Sequence, residues 1–350
     1  MGKILSQEVT NKNTWEKFVL SYNGANFLQS YNFGDFHQKL GKKIYRVGFF
    51  ENEQSSQTLS TKKLIGVMLC IVERAKRATY LTVPGGPLID WDNKQQVRLF
   101  KDTLEKIARQ EKCSFIRCRP QIESNEKNKK LFAKLGFKNA PMHLHAELTH
   151  QLDLDKSEDL LLAGMRKTTR HEIKKAVNLG IKIKVSSNPH DIDDFYKLQK
   201  QTAQRQGFVE FNKRFLEQQF EIFAKDNQVF LYTAFFDKKK LAQAFVIFYG
   251  NEADYHYGAS SPEGRNYPGA SLIQWEAIRE AKKRNLKRYN FWGVAPEGEK
   301  NHRFYGVSIF KRGFGGVDFE YLHAQDMIIN HLRYRLNWFI ETIRKSVRKV

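Results

Sequence analysis

Lys311 is the residue whose neighbours best suit it to chemistry. It stands in Ile309-Phe310-Lys311-Arg312-Gly313-Phe314-Gly315-Gly316, between an aromatic residue and a glycine-rich turn, downstream of an apolar run that ends Phe291-Trp292-Gly293. A lysine held by such neighbours presents a compact cation, suited to a developing oxyanion or a departing hydroxyl. Tyr255, Tyr257 and Ser260, with Arg265, Trp292 and Phe310, are the expected lining of a substrate groove. Strand alternation predicts that Tyr255 and Tyr257 share one face. Other chemistries lack their residues. The chain has no Gly-x-Ser-x-Gly elbow, Walker loop, dinucleotide fingerprint, His-Glu-x-x-His or Cys-x-x-Cys. Positioning and electrostatics are therefore expected to carry the reaction, with no metal, cofactor or covalent nucleophile.

The elements that must hold these groups occur twice. In the first half, residues 43–50 and 64–72 read as strands joined by a polar hairpin loop, 51–63. Residues 80–83 form a further strand, Pro84-Gly85-Gly86-Pro87 a turn, 97–110 an amphipathic helix and 114–118 a strand. In the second half, 229–236, 241–249 and 253–259 read as strands, 271–284 as a helix and 288–293 as a strand. Phe132-Ala133-Lys134-Leu135-Gly136-Phe137 echoes the segment around Lys311. The shared order predicts duplication of one α/β unit with a single active copy. The expected domains are 1–148, completed by 320–350, and 149–319.

Two further segments are basic. Residues 155–180 read as one helix, opened by the capping box Asp155-Lys156-Ser157-Glu158 and closed by Gly180. Arg166, Arg170 and Lys174 recur every four residues within it, on one face. Residues 327–347 read as an amphipathic helix whose apolar side, including Leu332, Leu336, Phe339 and Ile343, is expected to pack on the first domain. The same pattern also suits a membrane surface. With 350 residues, 41% of them apolar, the chain is long enough for two cored domains. Its net charge of +21 favours a polyanionic partner. Three cysteines, Cys70, Cys113 and Cys118, point to a reduced, cytoplasmic protein.

Several segments, in order, resemble the Fem family of peptidoglycan interpeptide-bridge aminoacyltransferases. They are Phe27-Leu28-Gln29-Ser30, Val83-Pro84-Gly85-Gly86-Pro87, residues 165–176, Tyr257-Gly258-Ala259-Ser260-Ser261, Gln274-Trp275-Glu276-Ala277-Ile278, Phe291-Trp292-Gly293 and residues 310–316. The resemblance implies two tandem acetyltransferase-like (GNAT) domains, with the C-terminal helix returning to the first. It implies transfer of an amino acid from aminoacyl-tRNA to the stem-peptide amine of a peptidoglycan precursor, either UDP-MurNAc-peptide or lipid II, in cell-wall biogenesis. The span 199–228 is too short for the long helical arm of larger members. On this reading Lys311 is catalytic. Arg166, Arg170 and Lys174 meet tRNA phosphate. His37 and Lys39, with Lys42 and Lys43, are candidates for the precursor diphosphate. Peripheral contact with the inner face of the membrane is a further expectation.

Two other readings compete. One is an acyl-CoA-dependent N-acyltransferase on the same fold, since Arg265-Asn266-Tyr267-Pro268-Gly269-Ala270 approaches a pyrophosphate loop. The other is a non-catalytic basic protein that binds tRNA or a membrane.

Overall fold

The computed structural model describes residues 3–52, 62–207 and 209–348. The chain divides into two compact units, Met1–Glu147 with Glu320–Val350, and Leu148–Phe319. The first begins with β1 (Ile4–Glu8), α1 (Lys12–Ser21) and α2 (Tyr31–Lys39). Then follow β2 (Ile44–Asn52), β3 (Lys62–Arg74), β4 (Thr79–Pro84), α3 (Lys94–Gln110), β5 (Phe115–Arg119), α4 (Glu126–Lys134) and β6 (Lys138–Asn139). Strands β2 and β3 pair antiparallel out to Asn52↔Lys62, so the expected hairpin loop is shorter than read, and its remainder lies outside the described residues. Val97, Phe100, Leu104 and Ile107 of α3 recur at helical spacing and are buried against the sheet core, while Asn93 caps the helix by accepting from the Gln95 and Gln96 amides.

The second unit repeats the order. It contains β7 (Leu148–Asp153), α5 (Glu158–Gly164), α6 (Lys167–Asn178), β8 (Lys182–Ser186), α7 (Ile192–Gln206) and α8 (Lys213–Ala224). It continues with β9 (Val229–Phe236), β10 (Lys239–Tyr249), β11 (Glu252–Ser260), α9 (Gly269–Lys283), β12 (Arg288–Gly293), α10 (Tyr305–Arg312) and β13 (Val317–Glu320). The chain ends with β14 (Gln325–Ile328) and α11 (His331–Arg348). Among the described residues of 199–228 there is no long helical arm; they hold the end of α7 and the whole of α8.

The two sheets have orders β1-β2-β3-β4-β5-β14-β6 and β13-β7-β12-β11-β10-β9-β8. Reversing the second makes them correspond strand for strand, with β7 in the place of β14. Each sheet thus takes the strand beside its central parallel pair from the segment that follows the other unit in the chain. The apolar clusters sit between each sheet and its helices. All three cysteines are buried and free.

The C-terminal helix does pack on the first unit, through a face the sequence did not suggest. Arg117 on β5 bonds Asp326 on β14 through two nitrogens, each at 2.8 Å, and Glu341 on α11 at 2.8 Å. The Tyr334 hydroxyl donates to Asp326 at 3.0 Å. This buried arginine needs polar partners, so it draws the Tyr334–Glu341 side of α11 inward. Leu332, Leu336, Phe339 and Ile343, expected to pack inward, are exposed.

Candidate active site

Strands β11 and β12 run parallel but pair only through Glu252↔Arg288, Ala253↔Tyr289 and Asp254↔Asn290. Beyond these they diverge. An opening at the C-terminal ends of neighbouring parallel strands is where an open α/β sheet admits a ligand. Two backbone devices shape it. The β11 register against β10 slips between Val246↔Tyr255 and Phe245↔Tyr257, which makes His256 the extra residue of a bulge. On β12, Asn290 Oδ1 accepts from the Trp292 amide at 2.8 Å, and Trp292 adopts a left-handed φ of 64°. A tryptophan there costs on the order of 1–3 kcal/mol, imposed by its surroundings.

Lys311 reaches into this opening. It lies in the last turn of α10, and it is 8% exposed. Its Nζ donates to the Gly293 carbonyl on β12 at 2.6 Å and sits 5.8 Å from the Tyr255 ring centroid on β11. The amine is therefore between the diverging strands. Burial lowers its pKa to about 7, so near neutrality it exchanges between ammonium and free amine.

Helix α10 is fixed at both sides. Ser308 Oγ accepts from the Ala295 amide at 2.7 Å, and Arg312 donates to the Ala295 carbonyl at 2.6 Å. Arg312 also pairs with Asp318, which meets His150 Nδ1 at 2.7 Å; His150 Nε2 meets the Gly315 carbonyl at 2.7 Å. Burial works against the Asp318 carboxylate, but bonds from Arg312 and His150 outweigh it and hold its pKa low. The glycines after Lys311 answer to space. Gly315 and Gly316 have φ of 80° and 99°, and a Cβ on either would strike backbone, at Gly164 or at Gln151.

The remaining expected residues separate. The bulge puts Tyr255 and Tyr257 on opposite faces, against the alternation expected. Tyr255 packs toward the α9 core, with its hydroxyl folded over Gly258. Tyr257 meets Phe211 and Phe245 at 5.0 and 5.3 Å on the other face. Burial pushes the Tyr255 phenol up to about 12 and drops His256 to about 3, so both are neutral at pH 7. Trp292 stands edge-on to His256 at 5.2 Å, on the opening. Phe310 turns inward, edge-on to Phe314 at 5.2 Å. Ser260 is engaged with α7: its amide and carbonyl both bond Thr202 Oγ1. The Arg265 side chain lies outside the described residues. In the loop before α9, Pro268 supplies no N–H and the Gly269 amide donates to the Tyr267 carbonyl at 2.8 Å. Neither position thus offers an amide to a pyrophosphate.

His37 is not the cation expected. It is buried beside Phe33 and Phe36, and burial, aided by Lys42, pushes its pKa well down. Lys42 and Lys43 pair with Glu73 and Glu111 at 2.7 and 2.6 Å. Lys39 is exposed at the end of α2. The single basic helix expected at 155–180 breaks at Met165–Arg166 into α5 and α6. Arg166 is the N-cap of α6, and its guanidinium donates to the Ile309 carbonyl at 2.8 Å. Arg170 donates to the Ala163 carbonyl at 3.0 Å and to Met165. Both guanidinium groups thus brace neighbouring helix ends. They and Lys174 remain exposed.

Sequence reasoning missed Asn290 and Arg205. Arg205, in the last turn of α7, donates from one nitrogen to the Ser260 carbonyl and hydroxyl at 2.9 and 3.0 Å. Its other terminal nitrogen is buried and makes no hydrogen bond among the described residues. It lies where β11 ends, on the same edge of the sheet as Lys311. The only signal was Arg205-Gln206-Gly207 at a helix end, which carries no periodicity.

The FemAB family model matches residues 10–240 and 234–342. The chain is 21% identical over 408 aligned positions to lipid II:glycine glycyltransferase of Staphylococcus epidermidis, covering 95% of this chain and 94% of that one. Among solved structures it is similar to FemX, with a TM-score of 0.83 and 19% identity over 95% of this chain and 99% of that one. It is also similar to a tandem GNAT protein from the clavulanic acid biosynthesis pathway, with a TM-score of 0.56 and 13% identity over 93% and 98% of the two chains. The fold is accordingly two tandem acetyltransferase-like domains, and the chain belongs to the FemAB family.

Proposed function

We propose that this chain transfers an amino acid from aminoacyl-tRNA to the stem-peptide amine of a peptidoglycan precursor, with Lys311 as the catalytic residue. The observation that carries this is the desolvated Lys311 amine between the diverging strands β11 and β12. An aminoacyl ester is already activated, so the protein need only align an amine with the carbonyl and stabilise the oxyanion and the leaving ribose hydroxyl. The amine attacks the ester carbon, the C–O bond to the ribose breaks, and the Lys311 ammonium supplies the proton to the departing oxygen; the attacking nitrogen sheds a proton to water as the amide forms, and Lys311 regains its own from solvent. Membership of a family that includes lipid II:glycine glycyltransferases supports the acceptor class. Arg205, held by Ser260, is a better candidate for the precursor diphosphate than His37. The exposed side of α6, with Arg166, Arg170 and Lys174, is the candidate surface for tRNA phosphate.

Purified protein would be mixed with a pool of radiolabelled aminoacyl-tRNAs and either nucleotide-linked or lipid-linked muropeptide, beside Lys311→Ala. Label reaching one acceptor, and not with the variant, is the expected result. No transfer to either acceptor, with acyl transfer from an acyl-CoA to an amine instead, would replace the reading with the CoA-dependent one.

A further inference from the structure

The outward face of α11 is apolar. Counting 100° per residue, Leu332, Leu336, Phe339 and Ile343 fall within one narrow stripe, at i, i+4, i+7 and i+11. Their exposures are 81%, 57%, 59% and 48%. The docked side, Tyr334, Asn337 and Glu341, lies diametrically across the helix. The stripe is thus turned fully away from the unit that carries it. Four large apolar side chains so aligned are unlike the scattered exposed hydrophobics of an ordinary surface.

The rims of the stripe are cationic. Arg335 borders it on one side, Arg333 flanks the other and Arg344 lies beyond Arg333 toward the docked side, and all three are exposed. None of them forms an ion pair among the described residues. Apolar residues along the centre with arginines at the margins match a bilayer interface: the stripe enters the acyl boundary while the guanidinium groups stay at the level of anionic headgroups. Nucleic acid matches the rims but offers nothing to the centre. A spanning role is excluded for this helix, since no helix among the described residues is long and apolar enough to cross a membrane.

We infer that α11 is a peripheral membrane-docking helix that lies in the plane of an anionic lipid surface. The first unit holds it through the Arg117–Asp326–Glu341 network, which fixes the direction the stripe faces. The inference stands on α11 alone and does not require the aminoacyl-transfer reading.

The test is flotation of the full chain with vesicles of phosphatidylcholine alone or mixed with anionic phosphatidylglycerol, at low and high salt. Wild type is expected to float with the anionic vesicles and to lose binding as salt rises. Leu336→Ser with Phe339→Ser is expected to weaken binding by at least about 10-fold, since each loses an apolar anchor. Arg333→Gln with Arg344→Gln is expected to weaken it less and to flatten the salt dependence. Because these side chains are exposed, the melting temperature of each variant should match wild type, which separates lost docking from lost folding. Wild type that floats with neither vesicle would overturn the inference. So would a serine variant that binds as wild type does, or one that instead splits a wild-type dimer or lowers tRNA binding.

Discussion

The two units share one strand order, yet their central parallel pairs end differently. In the first, β4 and β5 stay paired to the last residue, from Leu81↔Ile116 to Pro84↔Arg119. In the second, β11 and β12 separate after Asp254↔Asn290. The helix that follows each pair carries a lysine in its last turn. Lys134 on α4 is exposed, while Lys311 on α10 is buried against Gly293 and Tyr255. Topology alone therefore does not make a site. The bulge at His256 and the left-handed Trp292 hold β11 and β12 apart, and the gap admits the amine that the closed pair excludes.

That contrast can be broken at the glycines. Gly316→Ala drives a Cβ onto the Gln151 backbone at a φ of 99°, and is expected to destabilise by roughly 3 kcal/mol or more and to disturb the end of α10. Gly136→Ala, after α4, has open space at a φ of 87° and should cost only about 1 kcal/mol. Urea denaturation of both variants checks the difference; equal losses would mean that the two helix ends are equally constrained.

A smaller effect sharpens the account of Lys311. Its folded pKa, about 7, lies below the ordinary lysine value, so between these values the unfolded chain binds the extra proton. Stability from this group then rises with pH across that window, and the burden is greatest below pH 7. Lys311→Met should stabilise the protein, by on the order of 2 kcal/mol at about pH 6 and by less at about pH 9. Melting curves at the two pH values check it, and a variant destabilised at both would refute the desolvation. Lys134→Met, on the exposed helix end, should change stability by no more than about 0.5 kcal/mol and leave transfer intact.

Much of the fold was legible because burial follows period. The strands β2 to β5 and β9 to β12, the helices α3 and α9, and the repeated order all announce themselves by alternation or helical spacing. The site was half legible. Lys311 and Trp292 stood out by their neighbours, but alternation failed at Tyr255 and Tyr257 because a single bulged residue reverses every later side chain. Arg205 and Asn290 were missed because their roles depend on contacts distant in sequence or on a two-residue turn. His37 was misread because neither type nor spacing reveals that two phenylalanines enclose it. The apolar face of α11 was assigned inward because a stripe on a helix does not say what it meets.

The most direct measurement is the single-turnover rate of aminoacyl transfer against pH for wild type and Lys311→Met. The acceptor amine attacks only when unprotonated, so the rate should climb with pH toward its own pKa, about 10.4 for a lysine-type amine. If the Lys311 ammonium donates the proton to the leaving oxygen, the wild-type climb should level off near pH 7 as that group empties. Proton donation by Lys311 should give this break in wild type, and in Lys311→Met a rate at least about 10²-fold lower that climbs through pH 7 unbroken. Equal rates in the two proteins, or the same break in both, would contradict it.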